Sequence, residues 1–413
     1  MSARYAHLGV YSDWAATGAG PSARATRPDR EVVRRLAREI LAFPGRSLDP
    51  DGVRVERRWR ASGLEGEEIS YSVGYGPRTR AWVLKPAGAI GRLPGVLALH
   101  GHDGFKYYGK QKIADGPEAA PPVVAALRRH YYQGRAFAND LARQGFVVLV
   151  PDVFGWGSRR FPLEEMPPLI QRLGELSSRT VPPDTFPGEM PGDIARYNAA
   201  AWHHEHLIEK YCALLGTTLA AVVAYEDRLA LHHLRSRPDT TGQAASIGLS
   251  GGGCRSALLR ATSDELTAAV VVGMMASYDS LIDHNVIDHT WMLLPAGLAA
   301  RADWPDLAAC QAPAALLVQY NRHDELFTLA YRDESLSDGT DDADSEHRYI
   351  VNLVRPLVFP FLRDCVRIGE LALRDNIMLA VLDHSGIMAE LELRRAQIVP
   401  RNGSIVLGDV DAG

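Results

Sequence analysis

The pattern of apolar and polar positions begins with one helix and three strand-like runs. Residues 29–43 carry apolar residues at helical spacing, and Asp29 is placed to cap the helix. The three runs alternate in character and are separated by Gly and Pro, which is typical of an antiparallel edge with one solvated face. These runs are Val53–Trp59, Glu68–Gly74 and Thr79–Lys85.

From residue 95 onwards the strand-like runs become short and continuously apolar, which predicts strands that are buried on both faces. A helical stretch at 121–144 and a helix that begins at about Gly252 separate some of these runs. Because strands alternate with helices, we predict an α/β fold with a mostly parallel sheet of about eight strands flanked by helices. The buried runs are Gly95–His100, Gly145–Asp152, Ala244–Leu249, Thr267–Val272, Ala314–Tyr320 and Ile377–Leu382, which we expect to be the last strand.

A long insertion at 153–240 interrupts this alternation. Its first part, 161–192, is rich in Pro, and its second part, 193–235, has a helical pattern. Ligands of α/β sheets bind beyond the carboxyl ends of the strands, so we predict that the insertion forms a helical lid over that edge. We expect an N-terminal arm and helix at 1–50 and one α/β domain at 51–413 that carries the lid.

Composition narrows the class of protein. Of the 413 residues, 46% are hydrophobic and 23% are charged, which is ordinary for a globular protein with a large core. A net charge of −5 gives no electrostatic reason to expect nucleic acid or an anionic membrane as a partner. We find no signal-peptide pattern and no apolar run of the ~18–20 residues that a membrane span needs.

The cysteine pattern bears on the compartment. The chain has 4 cysteines, far apart and without a C-x-x-C pair, which argues against a zinc knuckle or a disulfide framework. Such spacing fits a reducing compartment, so the expected location is the cytoplasm. The cysteines are Cys212, Cys254, Cys310 and Cys365.

The segment Gly248–Gly252 (GLSGG) stands between an apolar strand and a predicted helix. A tight strand-to-helix turn would force Ser250 into a strained conformation, and it needs small neighbours because larger side chains would collide with the strand and the helix. The same turn brings the amide of Gly251 near the helix N-terminus, where it can donate to a developing oxyanion. A G-x-S-x-G pattern alone is weak evidence in a chain with 37 glycines, but the flanking elements favour a nucleophile elbow over a Gly-rich packing turn.

The buried strand at 95–99 ends in the segment His100–Gly104 (HGHDG). With this His-Gly motif and the turn around Ser250, the chain resembles the α/β-hydrolase superfamily, and more narrowly its dienelactone-hydrolase and acetyl-xylan-esterase-like branch. The resemblance implies the α/β-hydrolase fold and a second oxyanion N–H from the backbone of His102 or Asp103, two residues that could also line the pocket. His100, the first residue of the segment, is expected to have a structural role.

The acid of the triad is expected after the buried run at 314–320. There the chain continues as Asn321–Phe327 (NRHDELF), and hydrolases of this branch are similar in carrying an aspartate followed by a Leu-Phe pair. The resemblance implies that Asp324 accepts the N–H of the catalytic imidazole, and the order of serine before acid agrees with it. Glu325 is the competing carboxylate, and the alternative for Asp324 is a loop residue that caps the next helix.

The general base is expected after the last buried strand. His384 follows the run at 377–382, where a strand-end loop would offer an imidazole to the serine. His384 follows Asp324 by 60 residues, which is longer than the usual connection in the family, and residues 331–375 carry little family character. His347 is the alternative base within that region, and if neither histidine serves, the site is inactive or uses another base.

Substrate contacts are expected from Tyr107, in the run just beyond the oxyanion loop, from Trp156, and from His289 in the loop after the strand at 267–272. An exposed amphipathic loop is the alternative for the run at 105–110. The histidines within Trp202–His206 lack the carboxylate or cysteine pattern of a metal site, so we interpret them as a polar lid face. We expect neither a metal nor an organic cofactor.

Together these features predict a serine hydrolase that cleaves the carboxylic ester of a small molecule by ping-pong acyl transfer with a Ser-His-Asp triad. A serine peptidase of the same fold is one alternative, and a catalytically inactive binding protein is another. A lyase or dehalogenase is disfavoured because those reactions normally use a different nucleophile. Exposed strands at the N-terminal edge make a homodimer a further expectation.

Overall fold

The computed structural model of the chain describes ten segments. They are residues 6–18, 29–44, 48–180, 190–283, 286–311, 314–321, 326–327, 377–382, 398–401 and 404–407.

Strands and α-helices alternate through most of the described residues. The strands are β1 Asp51–Ala61, β2 Leu64–Ser72, β3 Thr79–Pro86, β4 Leu93–Leu99, β5 Val147–Pro151, β6 Thr240–Leu249, β7 Ala268–Val272, β8 Ala315–Asn321, β9 Ile377–Leu382, β10 Ile398–Arg401 and β11 Ser404–Leu407. The helices are α1 Ser12–Gly18, α2 Arg30–Ile40, α3 Pro122–Tyr131, α4 Phe137–Arg143, α5 Pro168–Thr180, α6 Gly192–Leu214, α7 Leu219–Ser236, α8 Gly251–Thr262, α9 Tyr278–Asp283 and α10 Trp304–Ala309.

Nine strands form one sheet in the order β1-β2-β3-β5-β4-β6-β7-β8-β9. The pairs from β1 to β5 in this order are antiparallel, and every pair from β5 to β9 is parallel. The predicted α/β fold with an antiparallel N-terminal edge is therefore confirmed, with nine strands instead of about eight. All six continuously apolar runs correspond to the parallel part of the sheet.

The edge hairpin is longer than the apolar pattern suggests. Ser62 and Gly63 both have positive φ angles, of 51° and 75°, as a tight two-residue hairpin turn requires. Pairing therefore continues to the turn, and β2 begins at Leu64, four residues before the predicted start. Its partner β1 is exposed along almost its whole length, as expected for an edge strand.

The predicted helix at 121–144 is interrupted. Gln133 and Gly134 have φ angles of 51° and 78°, and a left-handed residue cannot continue a right-handed helix. The Gly134 N–H donates to the Arg128 carbonyl at 2.8 Å, which closes α3, and α4 begins three residues later.

The insertion at 153–240 contains two different structures. Helices α5 and α6 pack closely, since a Cβ on Gly174 would lie 2.5 Å from the Cβ of Ala200. Helix α7, in contrast, is buried along most of its length and packs on β6, β4 and α8. The prediction of a lid up to residue 240 is therefore wrong for α7, which is a core crossover helix whose apolar faces meet the sheet.

The C-terminal residues that the structure describes form a second, two-stranded sheet of β10 and β11, so β9 is not the last strand. The helical pattern at 387–398 predicts a helix there, but Ile398 begins β10 instead. Residues 387–397 lie outside the described residues.

Helices cover both faces of the nine-stranded sheet. One apolar core lies between the sheet and α2, α7, α8 and α10, and a second core lies under α3 and α4. Asp29 caps α2 as predicted, because its side chain accepts a hydrogen bond from Glu31 N at 2.8 Å. In the described part of the chain, no single helix is long and apolar enough to cross a membrane. Helices α6 and α7 reach the length and composition of a membrane span only when they are taken together, across the 87° bend between them.

Candidate active site

Ser250 stands at the turn from β6 into α8, in a conformation that non-glycine residues rarely adopt. Its φ and ψ angles are 53° and −119°. Its N–H donates to the carbonyl of Val272 at 2.9 Å, which ties the turn to the neighbouring strand. Such a conformation costs about 1–3 kcal/mol and persists only where the surrounding structure enforces it. This is the strained strand-to-helix turn that the sequence motif predicts.

The glycines on either side of Ser250 are required by close backbone contacts. A Cβ on Gly248 would lie 2.3 Å from the carbonyl carbon of Gly252. A Cβ on Gly252 would lie 2.2 Å from the carbonyl oxygen of Leu99, at the end of β4. Real Cβ atoms do not approach backbone this closely, so the elbow depends on glycine at both positions.

Gly251 lies directly against the loop that follows β4. A Cβ built on Gly251 would be 2.5 Å from the backbone nitrogen of His102, so the two backbones are in contact. Gly251 opens α8, where the first N–H groups have no partner within the helix. Among the hydrogen bonds of the described residues, no acceptor is found for the N–H of Gly251 or of His102. The geometry thus offers two unused N–H donors beside Ser250.

The side chain of His102 is fixed on both ring nitrogens. Its Nδ1 accepts from the Gly104 N–H at 3.1 Å, and its Nε2 lies 2.9 Å from Oε2 of Glu205 on α6. Since Nδ1 is an acceptor, the ring proton is on Nε2 and is donated to the carboxylate. The ring is 8% exposed and packs edge-on against Trp156 and Trp202.

Asp103 has a structural position beneath the loop. Its φ angle is 55°, and its carboxylate forms an ion pair with Lys112 at 2.8 Å, both side chains being almost fully buried. The Lys112 ammonium also donates to the carbonyls of His102 and Phe105, at 3.3 and 3.2 Å. Of the two residues that the sequence leaves open for the second amide, His102 is the one whose N–H lies against the elbow, and the Asp103 side chain is buried in its ion pair with Lys112.

His100 is a buried structural residue, as expected. Its ring is 1% exposed, and Nδ1 donates to the Gly101 carbonyl at 3.1 Å. Burial, and then the positive charge of Arg255, hold the pKa of His100 well below its usual range. The ring is therefore neutral at physiological pH and packs 6.1 Å from Trp156.

The three expected substrate contacts have different environments. Tyr107 is half-buried, packs edge-on on Tyr197 of α6 at 5.4 Å and lies 4.3 Å beneath the guanidinium of Arg160. Trp156 is only 1% exposed and packs edge-on against the ring of His102 at 5.2 Å. His289 is 8% exposed and packs on Phe327 at 4.7 Å, and its Nε2 has no hydrogen-bond partner among the described residues.

Asp324 and His384, together with their alternatives Glu325 and His347, lie outside the described residues. The strands that precede them are described, and they are in register with the elbow. One row of paired residues crosses four adjacent strands: Leu249, Val272, Gln319 and Ala380. Ser250 follows this row by one residue, and β8 and β9 each end two residues beyond it. The strand ends that precede the serine, the predicted acid and the predicted base therefore lie at one edge of the sheet.

Several buried polar groups around the site were not predicted. Asn198 and Glu205 of α6 bind the loop at 102–107, and Lys112 lies beneath it. The only sequence signal for the first two is their spacing of seven residues, which places them on one face of a helix. Nothing local indicates their partners, which lie about a hundred residues earlier in the chain.

The described residues contain no group of His, Cys, Asp and Glu that could hold a metal ion. The histidines of α6 have protein partners instead. His203 shares a hydrogen bond with Ser177 at 2.8 Å, and His206 accepts from the indole N–H of Trp291 at 2.9 Å. His204 packs edge-on against Phe161 at 4.9 Å.

No family model matches the sequence, and no curated protein matches it. A crystal structure from Bacteroides fragilis NCTC 9343, assigned as an acetyl xylan esterase, aligns with 90% of this chain and 81% of its own. The TM-score is 0.60 and the sequence identity is 14%.

Two further solved structures align with lower TM-scores. Acetyl Xylan Esterase 1 from Thermoanaerobacterium sp. JW/SL YS485 covers 87% of this chain and 90% of its own, with a TM-score of 0.47 and 14% identity. A glucuronoyl esterase from Solibacter usitatus covers 86% of each chain, with a TM-score of 0.48 and 11% identity. The likeness to the first structure, together with the strand order, shows that this chain has the α/β-hydrolase fold.

Proposed function

We propose that the protein is a serine hydrolase that cleaves a carboxylic ester through an acyl-enzyme intermediate. The observation that carries this proposal is the strained Ser250, with a φ angle of 53°, beside the backbone contact between Gly251 and His102. A purely structural turn has no need of a strained serine at this position. Acyl transfer needs both a raised hydroxyl and two nearby N–H donors.

In the proposed reaction, the Ser250 hydroxyl attacks the ester carbonyl while His384 accepts its proton. The N–H groups of Gly251 and His102 donate to the oxyanion of the tetrahedral intermediate. Collapse of the intermediate expels the alcohol, which receives the proton from His384, and water then releases the acid by the same steps. Asp324 accepts the other ring N–H of the base and stabilises the imidazolium.

The assignment of the acid and the base is supported by the ends of β8 and β9. Asn321 and Leu382 are paired in register, Asp324 follows the first by three residues, and His384 follows the second by two. An extended chain spans about 3.3–3.6 Å per residue, so both connections are short: three residues are at most about 11 Å of chain. Adjacent strands are about 4.8 Å apart, so the predicted acid and base follow two neighbouring strand ends.

We favour an ester over a peptide as the substrate, because the solved structure with a TM-score of 0.60 is assigned as an acetyl xylan esterase. Acetyl esters of a polysaccharide are therefore the first natural substrate class to test. Peptides assayed beside them distinguish the proposal from a serine peptidase of the same fold.

The decisive experiment combines a fluorophosphonate probe with p-nitrophenyl acetate hydrolysis. We expect the wild type to label and to turn over, Ser250→Ala to lose both, and His384→Ala to lose at least about 10³-fold in kcat. His130→Ala, a change of an exposed histidine on α3, is the matched control. A wild type that neither labels nor turns over would contradict the proposal and favour a binding protein. A fully active His384→Ala would instead exclude His384 as the base.

A further inference from the structure

Glu205 connects three separate segments of the chain at one buried carboxylate. The residue lies on α6 and is 5% exposed. Its Oε2 accepts from His102 Nε2 at 2.9 Å and from the Lys106 ammonium, both in the oxyanion loop. Its Oε1 accepts from the Thr290 hydroxyl at 2.7 Å and from the Trp291 N–H at 2.9 Å, in the loop after β7. The two oxygens of the carboxylate thus accept from four donors.

The charges in this cluster are balanced within the protein. Burial alone would raise the pKa of Glu205, but Lys106 and then His102 lower it well below its usual range, so the group is an anion. Lys106 is 6% exposed, and its ammonium also lies 4.4 Å over the ring of Trp156. Hydrogen bonds with a charged acceptor are about twice as strong as neutral ones, so this carboxylate holds the loop firmly.

A second contact from the same helix acts on the same loop. The side-chain oxygen of Asn198 accepts from the N–H groups of Lys106 and Tyr107, both at 2.9 Å. Asn198 precedes Glu205 by seven residues, or two helical turns, so both project from one face of α6. Helix α6 therefore binds the oxyanion loop through two side chains, Asn198 and Glu205.

We propose that Glu205 is a positioning residue for the oxyanion hole, which holds the N–H of His102 against Gly251 by binding the His102 ring. This inference rests on the proposed function. Both hydrogen bonds of the ring constrain the loop, one through Gly104 and one through α6, so the His102 backbone has little freedom to rotate. Any movement of α6 would then be transmitted to the donor beside Ser250.

The expected effect is on the transition state. The N–H of His102 donates to charge that develops only during attack, so a misplaced donor lowers kcat more than it changes KM. Removing one oxyanion donor typically costs 10²–10³-fold, and misplacing a group by about 1 Å costs up to about 10²-fold. We therefore expect Glu205→Gln to lower kcat by about 10–100-fold with a KM within about threefold of wild type.

Glu209 provides a matched control on the same helix. It lies one turn beyond Glu205, is 8% exposed, and its carboxylate accepts from the Leu219 N–H at 2.8 Å. That contact ties α6 to α7 and does not touch the oxyanion loop. Glu209→Gln changes another buried carboxyl group of α6, so it reports the effect of a general loss of stability.

The test compares Glu205→Gln, Glu205→Asp and Glu209→Gln in kcat, in KM, in the rate of fluorophosphonate labelling and in amide hydrogen exchange of residues 102–107. Glu205→Asp keeps the charge that Lys106 requires, so it serves if the glutamine variant does not fold. We expect faster exchange in the loop and slower labelling for both Glu205 variants, with near wild-type values for Glu209→Gln.

Two outcomes would overturn the inference: equal kcat and labelling losses in the Glu205 and Glu209 variants, or faster loop exchange with unchanged labelling. A wild type without labelling or turnover would instead refute the proposed function. The exchange data would then still measure whether Glu205 holds the loop.

Discussion

Arg255 and Asp227 form a two-point ion pair directly beneath the elbow. The guanidinium Nε and Nη2 of Arg255, on α8, lie 2.9 and 2.6 Å from the two carboxylate oxygens of Asp227, on α7. Both side chains are 1% exposed, and Arg255 also donates to the carbonyl of His100 at 3.2 Å. One guanidinium thus joins α7, the helix that follows Ser250 and the start of the loop after β4.

We predict that Asp227→Ala lowers the free energy of unfolding by about 3–5 kcal/mol. Removing one partner of a buried pair leaves the other as an uncompensated charge, which costs far more than the pair itself contributes. Urea unfolding measures the difference. Glu65→Ala is the control, because its partner Arg60 is largely exposed at the sheet edge and such exposed pairs contribute little to stability. Equal losses in the two variants would contradict the prediction.

We predict that Gly252→Ala abolishes labelling of Ser250. The new methyl group would stand 2.2 Å from the carbonyl oxygen of Leu99, and backbone cannot yield there without moving β4 away from the elbow. The expected loss in kcat/KM exceeds about 10²-fold, with about 1–3 kcal/mol of destabilisation from overpacking. The measurement is the rate of fluorophosphonate labelling at a temperature where the variant is folded.

Gly192→Ala is the matched control for that change. Gly192 opens α6 and has no atom within 4 Å of a Cβ position, so alanine there should leave labelling unchanged. A folded Gly252→Ala variant that labels at the wild-type rate would show that the elbow does not need this close approach.

We predict that stability falls as the pH is lowered from about 6.5 to 4, and that His289 contributes. Burial lowers the pKa of His289 from 6.5 to about 4. The unfolded chain then binds a proton below pH 6.5 that the folded protein does not bind until about pH 4. This is a loss of stability on acidification, of about 3 kcal/mol for such a shift.

The measurement is urea unfolding at several pH values between 4 and 7. His289→Gln, which cannot titrate, should make the profile flatter in this window. His130→Gln, at an exposed position on α3, is the control variant for the substitution itself. An identical slope for the wild type and His289→Gln would exclude this histidine as a source of acid sensitivity.

The parts that sequence predicts well are those that local patterning determines. A strand buried on both faces is continuously apolar wherever it lies, so β4 to β9 could be located within a few residues. The elbow could be predicted because its glycines and Ser250 act within five consecutive residues. The sequence predicts an edge hairpin that is too short, because Ser62-Gly63 looks like part of a polar loop. Only the positive φ angles show that these two residues form a tight turn.

The remaining features depend on contacts between distant positions. Nothing near residue 219 indicates that α7 packs on the sheet while α6 lies outside it, because both have a helical pattern in one insertion. Likewise His102 and Glu205 are 103 residues apart, and only the folded chain brings them to 2.9 Å. Asp103 illustrates the same limit, since its carboxylate could equally face a pocket or a buried lysine until Lys112 is seen beneath it.

That ion pair allows a double-mutant test of the loop. Lys112 is fully buried, and its ammonium neutralises Asp103 while it also binds the backbone carbonyls of the oxyanion loop. We predict that Lys112→Met costs about 3–5 kcal/mol, because it leaves a buried carboxylate and carbonyl groups without their donor. Adding Asp103→Asn should recover part of this loss, since the unpaired charge is gone. Urea unfolding of the two single variants and the double variant gives the coupling energy, and strictly additive losses would refute a direct ion pair.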